Sequence, residues 1–249
     1  LLIDLGTNAE FALFDHNGQL FVTSVPMGPA MEGIGMYSGH VAGETVITQV
    51  SLDSRGIAAK GPKGPLTKAC GIAATGYLSL LSELKKRGLL SADGHFVTKQ
   101  TMPLFAAIMR KVQAVNGLTR LSLPQGVFLT LDDIEAMLKV KASFTVALQS
   151  LLASAAMDAQ NLAHIYMAGA LGEYVDTNAL EELGFIPHGL GSRVEAVGNA
   201  ALSGASLLLT DTNARKELTA LCAKAQVLQL PDDPRFEKRF IAAMHFASF

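Results

Sequence analysis

Apolar and polar positions alternate with a period of two along residues 1–4, 10–15 and 19–25. That spacing predicts three short strands, since side chains on a strand point to opposite faces in turn. Gly6-Thr7-Asn8 separates the first two strands, and the dipeptide Asn17-Gly18 marks a tight hairpin between the second and third. A glycine-rich crossing at residues 28–43 leads to a further strand at 44–52 and a short partner. Near residue 60 the period changes. Residues 71–87 carry apolar positions at helical spacing, end in Lys85-Lys86-Arg87 and are stopped by Gly88. A small hairpin around Asp93-Gly94, a helix at 102–115 and strands at 118–123 and 127–129 come next.

The strongest helical signal is residues 130–157, which starts at Thr130 or Asp132 with acidic residues in its first turn. One stripe of this helix is Ile134, Leu138, Lys141, Thr145, Leu148 and Leu152; another is Met137, Val140, Phe144, Ala147 and Leu151. Two apolar stripes require packing on most faces. Lys141 therefore lies within an apolar stripe, either snorkelling to the surface or facing an anion or nucleotide. Beyond it the pattern predicts strands at 163–167, 193–196 and 226–230, and helices at 176–183, 198–209, 213–224 and 232–244. Helix and strand alternate there, as in an α/β layer with a largely parallel sheet. No repeat of fixed period is present.

Composition narrows the function classes. With 249 residues, 49% hydrophobic and 17% charged, the chain buries a substantial core. A net charge of −2, and no basic cluster longer than residues 85–87, give no footprint for nucleic acid. No uninterrupted apolar window is of spanning length, so no membrane association is expected. The two cysteines, Cys70 and Cys222, form no C-x-x-C, and the six histidines show no ligand spacing. A reducing compartment fits, and no metal centre is written in these residues.

Candidate chemistry sits at two glycine turns, each directly after an apolar strand: Gly6-Thr7-Asn8 after residues 1–4, and residues 168–174 after 163–167. A strand-end aspartate such as Asp4 can hold Mg²⁺ directly or through water, while the next N–H groups close around phosphate oxygens. A Walker-type loop would lead into a helix, whereas residues 10–15 continue as a strand. Glycines at strand ends also permit close approach of a ligand, and ligands gather at such ends of α/β sheets. Turn chemistry explains the first turn without a ligand, and close strand-on-helix packing explains Gly169 and Gly172. Glu32, between glycines 28 and 33, positions a ligand or a partner, or is a solvated turn residue.

Several segments, in order, resemble one family: Leu2-Ile3-Asp4-Leu5-Gly6-Thr7-Asn8-Ala9-Glu10, Gly28-Pro29-Ala30-Met31-Glu32-Gly33, Asp132-Asp133-Ile134 with Lys141-Ala142, Ala168-Gly169-Ala170-Leu171-Gly172, Gly184-Phe185-Ile186-Pro187 and Val197-Gly198-Asn199-Ala200-Ala201. They are similar to the acetate and sugar kinase, heat-shock chaperone and actin superfamily, and within it to the ATP-dependent reductive activators of corrinoid proteins. The resemblance implies an α/β, ribonuclease-H-like lobe whose mixed sheet opens with a three-stranded antiparallel meander, flanked by helices, with an inserted helical region. It divides the chain into a phosphate-turn segment (1–60), the insertion (61–129) and an adenosine-side segment (130–249).

By the same resemblance the ligand is ATP with Mg²⁺. Asp4 would stand near the metal or the attacking water, Gly6, Thr7 and Asn8 near the terminal phosphates, and Gly169, Ala170 and Gly172 beside the adenosine. Lys141 would face the nucleotide. The partner would be a corrinoid protein whose inactive cob(II)amide is reduced, in the cytoplasm, with a homodimer left open. The family's [2Fe–2S] domain and first phosphate turn have no counterpart in residues 1–249, so the chain is expected to be the second lobe and C-terminal part of a longer protein. The sequence departs from the family at Gly71-Ile72-Ala73-Ala74-Thr75-Gly76-Tyr77-Leu78-Ser79, which lacks a cysteine, a glycine and an aspartate; at Ala170-Leu171, where glycine and phenylalanine are commoner; and at Ala9. The rival expectations are a nucleotide-sensing or partner-docking module without turnover, and a small-molecule kinase.

Overall fold

The computed structural model describes residues 1–53, 56–100 and 102–247, and the side chains of Ala170 and Glu173 also lie outside the description. The alternation at the start of the chain folds into an antiparallel meander of β1 (Leu2–Leu5), β2 (Asn8–Phe14) and β3 (Leu20–Pro26). Gly18 closes its second turn at φ 76°, and the Asp15 carboxylate accepts from the backbone N–H groups of Asn17 and Gln19, each at 2.8 Å. Later strands β4 (Ile165–Ala168), β5 (Val194–Gly198) and β6 (Gln226–Val227) complete a six-stranded mixed sheet of order β5-β4-β1-β2-β3-β6. β4 runs parallel to β1, with Asp4 opposite Ala168, and β5 runs parallel to β4. That register brings Gly6 and Gly169 out at the same end of the sheet, where an α/β fold gathers ligands.

The helix Leu131–Ser154 covers the core face of the sheet. Thr130 and Asp133 start it with a reciprocal capping box, each side chain taking the other's backbone N–H at 3.0 Å. Its Phe144 sits edge-on to Phe11 of β2 and to Phe185, with ring centres 5.0 and 5.5 Å apart. Contrary to the sequence expectation, this helix is by length and composition apolar enough to cross a membrane, although 67% of the relevant window is buried inside the molecule. It serves here as the core helix.

Residues 46–86 form a second packing unit. The strands Gln49–Asp53, Gly56–Gly61 and Gly64–Pro65 make a three-stranded sheet that runs across residue 60. The helix Ala74–Lys86 packs on its first strand and on the helix Thr177–Leu183 of the main body. Ser79 Oγ accepts from the Val50 N–H and donates to the Val50 carbonyl, both at 2.9 Å, acting as a neighbour to the strand's free edge. Lys85 Nζ reaches both the carbonyl and the carboxylate of Glu182 at 2.7 Å.

Several elements differ from the periodicity; the helix expected at 71–87 starts only at Ala74, because Gly71–Ile72 pairs as a short parallel strand with Val46–Ile47. The helix expected at 102–115 is only Pro103–Met109, because Asn116 and Gly117, both at positive φ, fold Val112–Val115 back on Leu118–Ser122 as a hairpin. The strand expected at 226–230 stops at Val227, ahead of a helical turn at Leu230–Asp232 that contains Pro231. The last helix starts at Phe236 rather than 232, since Pro234 disfavours helical geometry in the residue before it.

Candidate functional site

Asp4, half-buried on β1, leads into a turn that Gly6 N–H closes by donating to the Asn8 carbonyl at 2.8 Å. The Thr7 carbonyl accepts from Met27 N–H at 3.1 Å, which ties this turn to the end of β3. Beside it the chain leaves β4 through Gly169 at φ 85°, a conformation that L side chains rarely adopt. A Cβ on Gly169 would lie 2.4 Å from the Leu5 carbonyl oxygen and 2.7 Å from Asp4 Oδ1. The two strand ends therefore abut, and only glycine lets them do so.

Gly169 opens a short helix, Gly169–Tyr174, in place of the open glycine turn expected from the sequence. Gly172 lies on it where a Cβ would meet Met167 backbone and side-chain atoms at 3.2 to 3.3 Å, the signature of close helix-on-strand packing.

A third segment enters from β3. The helical turn Pro29–Glu32 buries Ala30 and Met31 and ends at Gly33 with φ 72°. It presents the Glu32 carboxylate to Thr7, whose hydroxyl donates to Glu32 Oε1.

These pieces line one cleft of about 1180 Å³, ample for a small organic ligand. Asp4, Leu5, Gly6, Thr7 and Gly169 line it from the sheet, with Met31 and Glu32 beside them. Thr48, Gln49, Gly61 and the start of the helix Ala74–Lys86 line it from the second packing unit. Leu171, Tyr174, Asp176, Asn199 and Ala201 complete the lining. Asp176 and Asn199 are helix caps, their side chains accepting from the N–H groups of Asn178 and Leu202 at 2.9 Å. Ala73, at the N-cap of Ala74–Lys86, offers no side-chain cap, and Ala73, Ala74 and Thr75 at that helix start line the cleft.

Of the residues expected at the site, the structure brings together Asp4, Gly6, Thr7 and Gly169. Asn8 contributes its carbonyl to the turn, with its exposed side chain outside the lining. Gly172 serves helix-on-strand packing, and the side chain of Ala170 is outside the described residues. Lys141 is elsewhere, fully buried where the long helix meets the helix Phe236–Ala243, and its Nζ donates to the Ala243 carbonyl at 3.4 Å. Burial there pushes its ammonium down to about 8. The sequence reading left Glu32 open and did not single out Asp176 or Asn199. For Asn199 a signal existed, an Asn directly before an alanine-rich helix.

The donor set fits Mg²⁺ carried by a polyphosphate. Mg²⁺ takes one or two carboxylates and fills its remaining positions with phosphate oxygens and water, and Asp4 stands at the cleft end of β1 to supply one. Among the described residues no group of three or more His, Cys, Asp or Glu side chains could hold a metal by itself. An iron–sulfur cluster does not fit, since it needs four cysteine ligands and the chain has Cys70 and Cys222, both exposed.

Comparison with known proteins agrees with this architecture. Residues 1–248 match a family model described as the C-terminal domain of RACo, the ASKHA domain. The corrinoid activation enzyme RamQ of Eubacterium limosum is 26% identical over 251 residues, covering 97% of this chain and 42% of the relative. A reductase of the methylated-amine-specific Co(II) corrinoid protein, from Methanosarcina barkeri, is 25% identical over 268 residues, covering 99% of this chain and 46% of the relative. The chain thus spans less than half the length of these curated relatives. A solved reductive activator for a corrinoid, iron–sulfur protein superposes with a TM-score of 0.83 at 23% identity, over 100% of this chain and 40% of that one, which shows the fold.

Proposed function

The chain belongs to the family of the C-terminal ASKHA domain of RACo, and from that premise we propose that it is the ATP-binding part of a reductive activator of a partner corrinoid protein. In this reading Mg-ATP occupies the cleft, and its binding or hydrolysis drives the return of an inactive cob(II)amide centre to cob(I)amide. The observation that carries the reading is the closure of two strand-end turns through Gly169, which sets the Asp4 carboxylate, the Gly6-Thr7 backbone and an uncapped helix start around one cleft. A nucleotide drives an uphill electron transfer only if nucleotide and partner favour different arrangements of the protein, because a ligand shifts an equilibrium by its differential affinity.

The chain's own residues have defined parts in this proposal. Asp4 would contact the metal that arrives with the nucleotide, and Thr7 would offer its hydroxyl to a phosphate oxygen, the Gly6 N–H being spent within the turn on the Asn8 carbonyl. The purine side lies toward Leu171, Tyr174 and Asn199. Electrons enter from an iron–sulfur centre outside residues 1–249, and the cytoplasm is the compartment proposed. The test is titration with Mg-ATP together with steady-state ATP hydrolysis, for wild type and Asp4→Ala. Binding and turnover that Asp4→Ala loses while it keeps its fold are expected; absence of Mg-ATP binding by the wild type overturns the proposal.

A second reading has an observation in its favour. The helix start at residues 73–75 lines the cleft with alanines and no capping side chain, which suits a module that senses nucleotide without turnover. Binding without detectable hydrolysis would select it.

A further inference from the structure

The cleft gathers four carboxylates, Asp4, Glu32, Glu44 and Asp176, and no Lys, Arg or His is among its described lining residues. A free polyphosphate entering this space meets like charge. Most nucleotide sites offset such charge with a lysine or arginine. Lys63, just outside the lining, pairs with Glu44 at 2.5 Å, which leaves Asp4, Glu32 and Asp176 without a basic partner among the lining residues.

Glu32 brings this charge to the strand-end turn. Its Oε1 accepts from the hydroxyl of Thr7, the residue whose side chain comes directly after Gly6 in the strand-end turn. A threonine hydroxyl carries one proton, so it donates either to Glu32 or to a phosphate oxygen and not to both. Glu32 is also held in place by its backbone. The N–H groups of Gly33 and Ile34 bond back to Ala30 and Pro29 at 3.0 and 2.9 Å. Gly33 sits so close to His40 that a Cβ would lie 2.4 Å from the His40 carbonyl oxygen. The backbone of the turn is therefore fixed, and the exposed carboxylate can leave Thr7 only by rotation of the Glu32 side chain.

We infer that Glu32 is a specificity residue for a nucleoside triphosphate carried as its divalent-cation complex. It retains the Thr7 hydroxyl while no cation is present, and releases it to the phosphate only when the arriving cation neutralises the carboxylate. Asp4 and Glu32 then have separate parts: Asp4 meets the metal, and Glu32 turns away the metal-free ligand. The inference rests on the proposal that the cleft takes a nucleotide.

The experiment is calorimetric titration of the full-length protein with ATP, once in Mg²⁺ and once in EDTA, for wild type, Glu32→Gln, Thr7→Val and the double variant. Circular dichroism checks that each variant is folded. Wild type is expected to bind far more tightly in Mg²⁺. Glu32→Gln is expected to shrink the ratio of the two affinities at least about tenfold, the scale of a charged hydrogen bond, by raising affinity in EDTA. In the Thr7→Val background the same change is expected to alter the ratio much less, because the hydroxyl through which Glu32 acts is gone. A folded Glu32→Gln with an unchanged ratio overturns the role of Glu32 and leaves the nucleotide reading standing. Absence of binding by wild type in both buffers overturns the nucleotide reading, and the inference with it.

Discussion

Gly169 concentrates the site in one residue. Its φ of 85° and the approach of Leu5 and Asp4 to its α-carbon leave no room for a methyl group. Gly169→Ala is therefore expected to destabilise the fold by about 1–3 kcal/mol and to abolish nucleotide binding, read by urea unfolding and by titration of the folded fraction. A variant that keeps both wild-type stability and affinity would show that the strand ends need not touch. Lys141 makes the opposite case, a chemically rich side chain used for packing. With its folded value pushed down to about 8 from an ordinary 10.5, the native state gives up this proton before the unfolded chain does. Stability should rise from pH 8 to 10.5 as the buried charge is lost, and the full penalty should apply below pH 8. Lys141→Met is accordingly expected to be more stable than wild type at pH 7, by on the order of 2 kcal/mol, with the difference closing by about pH 10.5 in denaturation series at each pH. The sequence placed Lys141 in an apolar stripe but was silent on what covers that stripe. The covering element lies about a hundred residues away, and local periodicity carries no such information.

At the scale of elements, legibility tracked the range of the forces. The meander of β1 to β3 and the capped helix Leu131–Ser154 were readable because an Asn-Gly turn, a Thr cap and a steady period are local signals. The hairpin of Val112–Val115 and Leu118–Ser122 carries the same Asn-Gly signal at residues 116 and 117, but a helical pattern over 102–115 masked it. Glu32 was undecided for a different reason: whether a turn carboxylate meets solvent or Thr7 depends on a contact across 25 positions. Ser79 depends likewise on a contact that local pattern does not carry, across 29 positions. It is nearly buried, and it satisfies both backbone groups of Val50 at the edge of Gln49–Asp53, where Glu83 and Arg87 do the same for Leu52. Ser79→Ala is expected to cost about 1–3 kcal/mol in urea unfolding, since it strands a donor and an acceptor away from water. The helices Ala200–Thr210 and Thr212–Lys224 behave differently. Leu202, Leu207 and Leu209 are 66%, 53% and 77% exposed, so exchanging any of them for serine should change stability by less than about 0.5 kcal/mol.

For the whole molecule, the cleft is lined from two sheets that share one hydrophobic core. The six-stranded sheet supplies Asp4, Thr7 and Gly169, and residues 46–86 supply Gln49, Gly61 and the start of Ala74–Lys86. That helix bridges the two, resting on the strand Gln49–Asp53 on one side and on Thr177–Leu183 on the other, with Lys85 bonded to Glu182 at 2.7 Å. A ligand touching both walls must stabilise them together, whereas one that sits only on the sheet leaves the second unit unchanged. Mg-ATP at a hundred times its dissociation constant is expected to raise unfolding stability by about 2.7 kcal/mol, whatever its pose. Hydrogen exchange separates the poses. If the cleft closes on the nucleotide, protection should rise in residues 4–7 and 169–176 and equally in residues 42–49 and 73–76. Protection confined to the sheet side would mean that ATP binds without drawing the two units together. In that case nucleotide would stabilise this region without moving it, and the coupling of ATP to electron transfer would have to arise elsewhere in the protein.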